Sequence, residues 1–266
     1  MRYHGGKTKI SKEISEVLNN ALHGRQVPDI DRACRPSEYI YIYEKPFVSL
    51  FCGACSIESK IKAKRKILND KHEYLIEMLR AVQNGYELPD TVSEEQYRYI
   101  REHRDDDKAL SGFVGFACSF GGKWFGSYAR GSGRNYAADG KHSMMRKMQG
   151  LQNAEFLCMD YRDVPIPENA VVYADPPYAG TTGYTVGKFD SAEFWEYMRV
   201  LSEKHLVFIS EQTAPEDFIP IWEKELKRNI CRDVDKRFEV TEKLFVHQSS
   251  CLLYTSPSPR DTERSR

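Results

Sequence analysis

The string with the sharpest chemical character is Asp175-Pro176-Pro177-Tyr178. Asp175 supplies a carboxylate acceptor. The two prolines stiffen the loop and leave their carbonyls free to accept hydrogen bonds. Tyr178 adds a flat ring. Acceptors beside a stacking ring suit an exocyclic amino group on a planar base. The string follows the apolar run Ala170 to Ala174, which reads as a buried strand, and open α/β sheets bind ligands outside the carboxyl ends of their strands. A plain turn, with Asp175 capping and Tyr178 packing, fits the same four residues.

A second candidate is Phe51-Cys-Gly-Ala-Cys-Ser56. An apolar strand, a glycine turn and a helix start is how a nucleotide or adenosyl group is cradled. Gly53 allows close backbone approach, and Cys55 stands where a second glycine would be usual. The pair Cys52-x-x-Cys55 also admits thiol redox chemistry. A structural zinc site would need two more ligands, and no second CxxC exists, so no metal is expected. Asp70 ends a second short strand. It is placed to accept hydrogen bonds from ribose hydroxyls, or to cap the helix that follows. Asp160-Tyr161, after a third strand, admits the same two readings. Gly5-Gly6-Lys7 could bring backbone and a cation to a carboxylate, or could be a flexible loop.

The elements that must hold these residues follow from periodicity. Phe47–Phe51, Arg65–Asn69, Phe156–Met159, Ala170–Ala174 and Leu206–Ile209 read as short apolar strands, most of them separated by helices, which is the pattern of an open α/β sheet. Leu75, Ile76, Leu79 and Val82 share one helical face. Further helices are expected from Ile57, over Tyr97–Lys108, over Ser191–Glu203 and over Phe218–Leu226. A closing hairpin is expected over Lys236–Val246. Residues from about 71 to 151 look like an insertion into the sheet.

The chain has 266 residues, enough at ~150 residues per domain for one to two domains. Lys+Arg and Asp+Glu are both 39, so the net charge is zero. No stretch approaches the ~18 apolar residues of a membrane helix, and the N-terminus has no apolar run for a signal peptide. Seven irregularly spaced cysteines read as reduced thiols in a cytoplasm. Neutrality hides segregation. Gly121 to Lys147 carries six basic residues (Lys123, Arg130, Arg134, Lys141, Arg146 and Lys147) against Asp139 alone. Trp124, Phe125, Tyr128 and Tyr136 are interleaved with glycines. Cations neutralise phosphates and aromatics stack on bases, although a solvated loop packing its rings on the core has the same composition.

In order, R-Y-H-G-G-K, P-F-V-S-L-F-C-G-A-C-S, L-N-D, M-D-Y and D-P-P-Y resemble the DPPY-type DNA adenine-N6 methyltransferases of phages and restriction–modification systems. The likeness spans most of residues 1 to 250. It implies an α/β fold: a Rossmann-like class I methyltransferase sheet with an inserted, mostly helical target-recognition domain. Residues 1–70 and 152–250 would form the catalytic domain and 71–151 the target reader, with a hairpin near Phe120 to Tyr136. It implies S-adenosylmethionine as cofactor, met by Tyr3, Lys7, Phe51, Gly53, Ser56, Asp70, Asp160 and Tyr161. Asp175, Pro176, Pro177 and Tyr178 would be catalytic. Double-stranded DNA would be held by Lys123, Tyr128, Arg130, Arg134 and Tyr136. A cytoplasmic monomer is expected, with a cognate restriction endonuclease as a further partner. N4-cytosine or RNA adenine methylation shares the amino-group chemistry. A non-catalytic DNA-binding module with a decayed cofactor site would suit the Cys55 departure. Residues 251–266 resemble a translated sequencing adapter. Without them Lys+Arg is 36 and Asp+Glu 37.

Overall fold

The computed structural model describes residues 6–23, 45–131, 133–177, 189–228 and 238–250. Tyr3, Tyr178 and the adapter-like tail lie outside them. In chain order the elements are α1 (Ser11–Leu22), β1 (Phe47–Ser49), β2 (Lys66–Asn69), α2 (Glu73–Gln83), α3 (Glu94–Glu102), α4 (Lys108–Ala117), α5 (Tyr136–Met148), β3 (Ala154–Leu157), β4 (Val171–Ala174), α6 (Ser191–Ser202), β5 (Leu206–Glu211), β6 (Phe218–Arg228) and β7 (Phe238–His247).

The described strands form one sheet in the order β3-β2-β1-β4-β5-β7-β6. The first five are parallel, and β7 enters antiparallel to both β5 and β6. Strands β1, β2 and β4 are buried along their whole length, because helices cover both faces of a parallel sheet. On one face α1, α2, α4 and α5 pack through Ile14, Leu18, Ile76, Leu79, Phe113 and Met144 onto Phe47, Leu68 and Tyr173. On the other, Phe194, Trp195 and Met198 of α6 meet Val48, Val172 and Val207.

The helical face anticipated at Leu75, Ile76, Leu79 and Val82 is the buried face of α2. Its N-cap is His72, whose Nδ1 accepts from the Leu75 N–H at 3.3 Å. Burial pushes the His72 pKa down to about 4, which keeps the ring neutral and able to accept. Helix α4 lies against α2 with no space for side chains at Gly112, where a Cβ would stand 2.0 Å from the Tyr74 carbonyl oxygen. Helix α3 opens on a capping box between Ser93 and Gln96. Thus the helices of residues 71–151 share one hydrophobic core with the sheet.

Five expectations fail. Phe218–Leu226 is not a helix but most of strand β6. The Glu-Lys-Glu-Leu-Lys run suggested helix, whereas Ile219 and Ile221 favour extended backbone, and Pro220 sits at a register shift on the edge of the sheet, where proline is tolerated. The hairpin expected over Lys236–Val246 is not one either: Phe238–His247 is the single strand β7, and its antiparallel partner is β6. The helix expected from Ile57 is one 3-10 turn over Glu58–Lys60. The single helix over Tyr97–Lys108 is split: α3 ends at Glu102, and α4 begins at Lys108 with Asp107 as its N-cap. The hairpin near Phe120 reduces to a bridge between Ser119 and Tyr128, and Tyr136 begins α5.

Candidate active site

The motifs converge at the carboxyl ends of β1, β2, β3 and β4. The chain leaves β1 through a tight turn in which Gly53 has φ +48° and Cys55 φ +53°. Left-handed backbone costs a side chain about 1–2 kcal/mol, so the position where the sequence departs from glycine keeps a glycine conformation. The Cys55 side chain is fully buried, and that contact offsets the strain. Cys55→Gly is therefore expected to change stability by less than about 1 kcal/mol. Thermal denaturation checks this, and a loss of several kcal/mol would contradict it. Cys52 and Cys55 are both buried, and each thiol faces the Gly53 carbonyl oxygen, at 3.8 and 3.9 Å. Burial raises the Cys52 pKa well above its ordinary value, which suppresses the thiolate that redox exchange needs.

Asp70 is fixed by two backbone donors. Gly53 N–H donates to Oδ2 and His72 N–H to Oδ1, each at 2.9 Å. Burial raises its pKa, and these two bonds oppose the rise. The cap of α2 is His72, so the capping alternative for Asp70 lapses, while the carboxylate stays locked to the glycine turn. Beside it, Asn69 ties three strand ends together. Its amide donates to the carbonyls of Leu50 at 3.0 Å and Met159 at 3.1 Å, and accepts from Met159 N–H at 3.1 Å. Asp160 accepts from Arg162 Nε at 2.7 Å and Lys71 Nζ at 3.1 Å. The bond to Arg162 above all holds its carboxyl far below the usual carboxylate range. Tyr161 is buried against Phe51, ring centroids 5.3 Å apart.

Asp175 follows β4 directly. Its Oδ1 lies 3.0 Å from Lys7 Nζ, and the same ammonium lies 3.1 Å from Glu242 Oε2. The Lys7 and Glu242 side chains are 4% and 2% exposed, that of Asp175 20%. The structure thus joins the G-G-K and D-P-P segments, which stand far apart in sequence, through one cation. Glu242 carried no sequence signal, being one charge in the alternating strand β7.

Glu58 is a second missed carboxylate. It is buried, accepting from Ser49 Oγ at 2.9 Å and from Ile57 N–H at 3.2 Å. Burial pushes its pKa from 4.5 up to about 7, and the Asp175 charge acts in the same direction. A folded-state pKa above the unfolded value means that this group's contribution to stability is full below pH about 4.5. It is lost as the pH rises through about 7. Glu58→Gln is expected to abolish that loss, about 3 kcal/mol over the window. The test is the melting temperature of wild type minus that of the variant. This difference should fall from pH about 5 to about 8, and a constant difference would contradict the assignment.

The basic segment divides into two kinds of position. Trp124 packs against His72, Tyr74, Phe116 and Phe125. Tyr128 packs on Tyr97 and donates its hydroxyl to the Val92 carbonyl at 2.7 Å. Arg130 is paired with Glu94 at 2.5 Å. Arg134 pairs with Asp139 at 2.7 Å and lies over the Tyr136 ring at 5.0 Å. Lys123 and Arg146 are exposed and have no ion-pair partner among the described residues. A groove of about 960 Å³ runs between Thr8-Lys9 and α5, with Arg134, Tyr136 and Arg146 in its wall. No group of three potential metal ligands occurs among the described residues.

A 3-2-1-4-5 parallel sheet closed by an antiparallel 7-6 pair, with its polar residues gathered at the carboxyl ends, is the Rossmann-like architecture of class I methyltransferases. Residues 3–110 match the family model of the D12 class N6 adenine-specific DNA methyltransferases. The match covers less than half of the chain and supports a methyltransferase whose methyl donor is S-adenosylmethionine. It takes in the G-G-K, F-C-G-A-C-S and L-N-D segments; Asp160 and Asp175 lie beyond it. Two of the solved structures similar to the chain are the following. One is a candidate RNA methyltransferase from Pyrococcus horikoshii, at 11% identity over 89% of this chain and 94% of that one, with a TM-score of 0.33. The other is a candidate methyltransferase solved with SAH, at 15% identity over 79% of this chain and 50% of that one, with a TM-score of 0.29. No curated protein matches the chain. No helix among the described residues is long and apolar enough to cross a membrane.

Proposed function

We propose that the enzyme methylates the N6 amino group of adenine in double-stranded DNA, with the target base turned out of the helix against Asp175, Pro176 and Pro177. The observation that carries this reading is the Lys7–Asp175 pair at the end of β4. It fixes a carboxylate beside a proline carbonyl where a ligand of an open α/β sheet belongs.

The residues present fit the cofactor. Asp70 is held in place by the Gly53 turn for a ribose diol. Phe51 and Tyr161 offer ring faces, and Asp160 offers a carboxylate for an adenine amino group. When bound, S-adenosylmethionine supplies an electrophilic methyl whose bond to sulfur breaks, with its electron pair, as the bond to nitrogen forms. The adenine amino nitrogen is a poor nucleophile because its lone pair is delocalised into the ring. Hydrogen bonds from that amino group to the Asp175 carboxylate and the Pro176 carbonyl favour a more tetrahedral nitrogen. They also stabilise the positive charge that develops on it. The proton leaves after attack, so Asp175 works as a fixed acceptor rather than as a strong base. Lys7, anchored on Glu242, keeps the Asp175 carboxylate aimed. Tyr178 is the expected stacking partner of the flipped base.

For DNA, the groove beside α5 supplies Lys9, Arg134 and Arg146 to phosphates. Tyr136 stands in the same wall, and Lys123 and Arg130 are exposed cations proposed as further contacts. The exposed Arg130–Glu94 pair, worth little in water, is free to exchange for a phosphate. Residues 71–151 act as the target reader and residues 1–70 with 152–250 as the catalytic domain.

The test is methylated-base mapping of DNA from cells that express the enzyme. N6-methyladenine at a recurrent sequence is expected. N4-methylcytosine, or DNA with no new methylation, would overturn the reading.

A further inference from the structure

Lys147 is one of the six basic residues that suggest a DNA surface, yet the fold turns it away from that surface. From the last turn of α5 its Nζ donates to the Ala54 carbonyl at 2.6 Å and to Ser56 Oγ at 3.0 Å. Both acceptors belong to the turn that follows β1. The contact is reinforced on two sides. Gly150 lies so close to that segment that a Cβ would meet the Ser59 carbonyl oxygen at 2.0 Å. Lys66 Nζ donates to the Gly150 carbonyl at 2.7 Å and to that of Glu58 at 3.4 Å. The same helix also lines the groove, where Arg146, the immediate neighbour of Lys147, stands exposed. One helix therefore touches both the proposed DNA groove and the proposed cofactor turn.

We propose that Lys147 is a positioning residue that couples the two ligands. Duplex bound along α5 sets the helix, and Lys147 transmits that setting to the Ala54–Ser56 turn, so that DNA tightens the hold on the cofactor. The proposal rests on the functional reading above. It goes beyond it by making the two bindings interdependent and by assigning the link to one ammonium. Linkage demands reciprocity: the cofactor must tighten the hold on DNA by the same factor.

The experiment is isothermal titration of S-adenosylhomocysteine into the enzyme, with and without a saturating random-sequence duplex at low salt. For wild type the duplex is expected to tighten binding by about fivefold or more. In Lys147→Met the duplex still binds, and the ratio falls to about one. In Lys147→Arg, which keeps a donor cation, the ratio is largely restored. A loss of stability alone would weaken both titrations without changing their ratio. Should Lys147→Met fail to fold, Lys147→Gln, which keeps a neutral donor but no charge, decides: its ratio must likewise fall toward one, and an unchanged ratio overturns the coupling. A wild-type ratio of one, or an unchanged ratio in Lys147→Met, overturns the coupling while leaving the functional reading intact. Failure of wild type to bind either ligand overturns that reading and the coupling with it.

Discussion

Asp175→Ala is expected to lower methyl transfer by roughly a hundred- to a thousandfold and to leave S-adenosylhomocysteine binding within about threefold of wild type. The asymmetry follows from where the groups sit. Asp175 follows β4 and faces Lys7, whereas the candidate cofactor carboxylates Asp70 and Asp160 follow β2 and β3. Removing the Asp175 carboxylate removes an acceptor that matters most as charge develops on the amino nitrogen, an interaction made more strongly in the transition state than in the ground state. kcat should therefore fall much more than cofactor affinity. Asp175→Asn keeps an acceptor oxygen but no charge, and should lie between. Steady-state kinetics with labelled methyl donor, beside a titration of S-adenosylhomocysteine, separate the two effects. An equal fall in both would assign Asp175 to cofactor binding instead.

Lys7→Met carries the largest expected cost in stability, about 3–5 kcal/mol. Lys7 is one cation shared by two carboxylates, Asp175 and Glu242, and all three side chains are mostly out of water. Coulomb attraction is strong in such a place, and so is the penalty for a charge that loses its counterion. Without the ammonium, the two carboxylates face each other across a space with little solvent. Methyl transfer should also fall, because the ammonium that aims Asp175 toward the substrate is gone. The double variant Lys7→Met with Glu242→Gln removes one of the two repelling charges and should recover part of the stability but not the activity. Chemical denaturation checks this. A double variant no more stable than Lys7→Met alone would show that the two carboxylates do not repel through this site.

The elements that position the site were legible where burial is one-sided or complete. β1, β2, β4 and β5 are short apolar runs, and α2 repeats its apolar residues at helical spacing; in each case the pattern records the packing. The positions of Asp70, Asp160 and Asp175 were legible for a simpler reason: Asp70 and Asp175 follow strands directly and Asp160 stands just past the end of another, and strand ends are where an open sheet binds. Lys7 was visible as a cation after two glycines, but its two carboxylate partners were not, because Glu242 lies far off in sequence within an ordinary alternating strand. Glu58 carried no sequence signal, being one charge in a segment expected to be a helix. Tyr128, Trp124 and Phe125 looked like stacking residues for DNA. Composition does not distinguish a ring held among other rings from one held out to solvent, and here Phe125 is buried while Trp124 and Tyr128 pack half-buried against the core. β6 was misread because a Glu-Lys-Glu-Leu-Lys run has helical preference, while its pairing partner β7 lies further along the chain. Lys147 shows the same limit from the other direction: a charge that counts toward a basic patch in sequence is, in the fold, a donor to the turn after β1.

The most direct measurement is nucleoside mass spectrometry of plasmid DNA incubated with the purified enzyme and S-adenosylmethionine carrying a deuterated methyl group. The account predicts deuterated N6-methyladenine, formed by wild type and lost in Asp175→Ala. Label in N4-methylcytosine, label retained by Asp175→Ala, or DNA without label would contradict it.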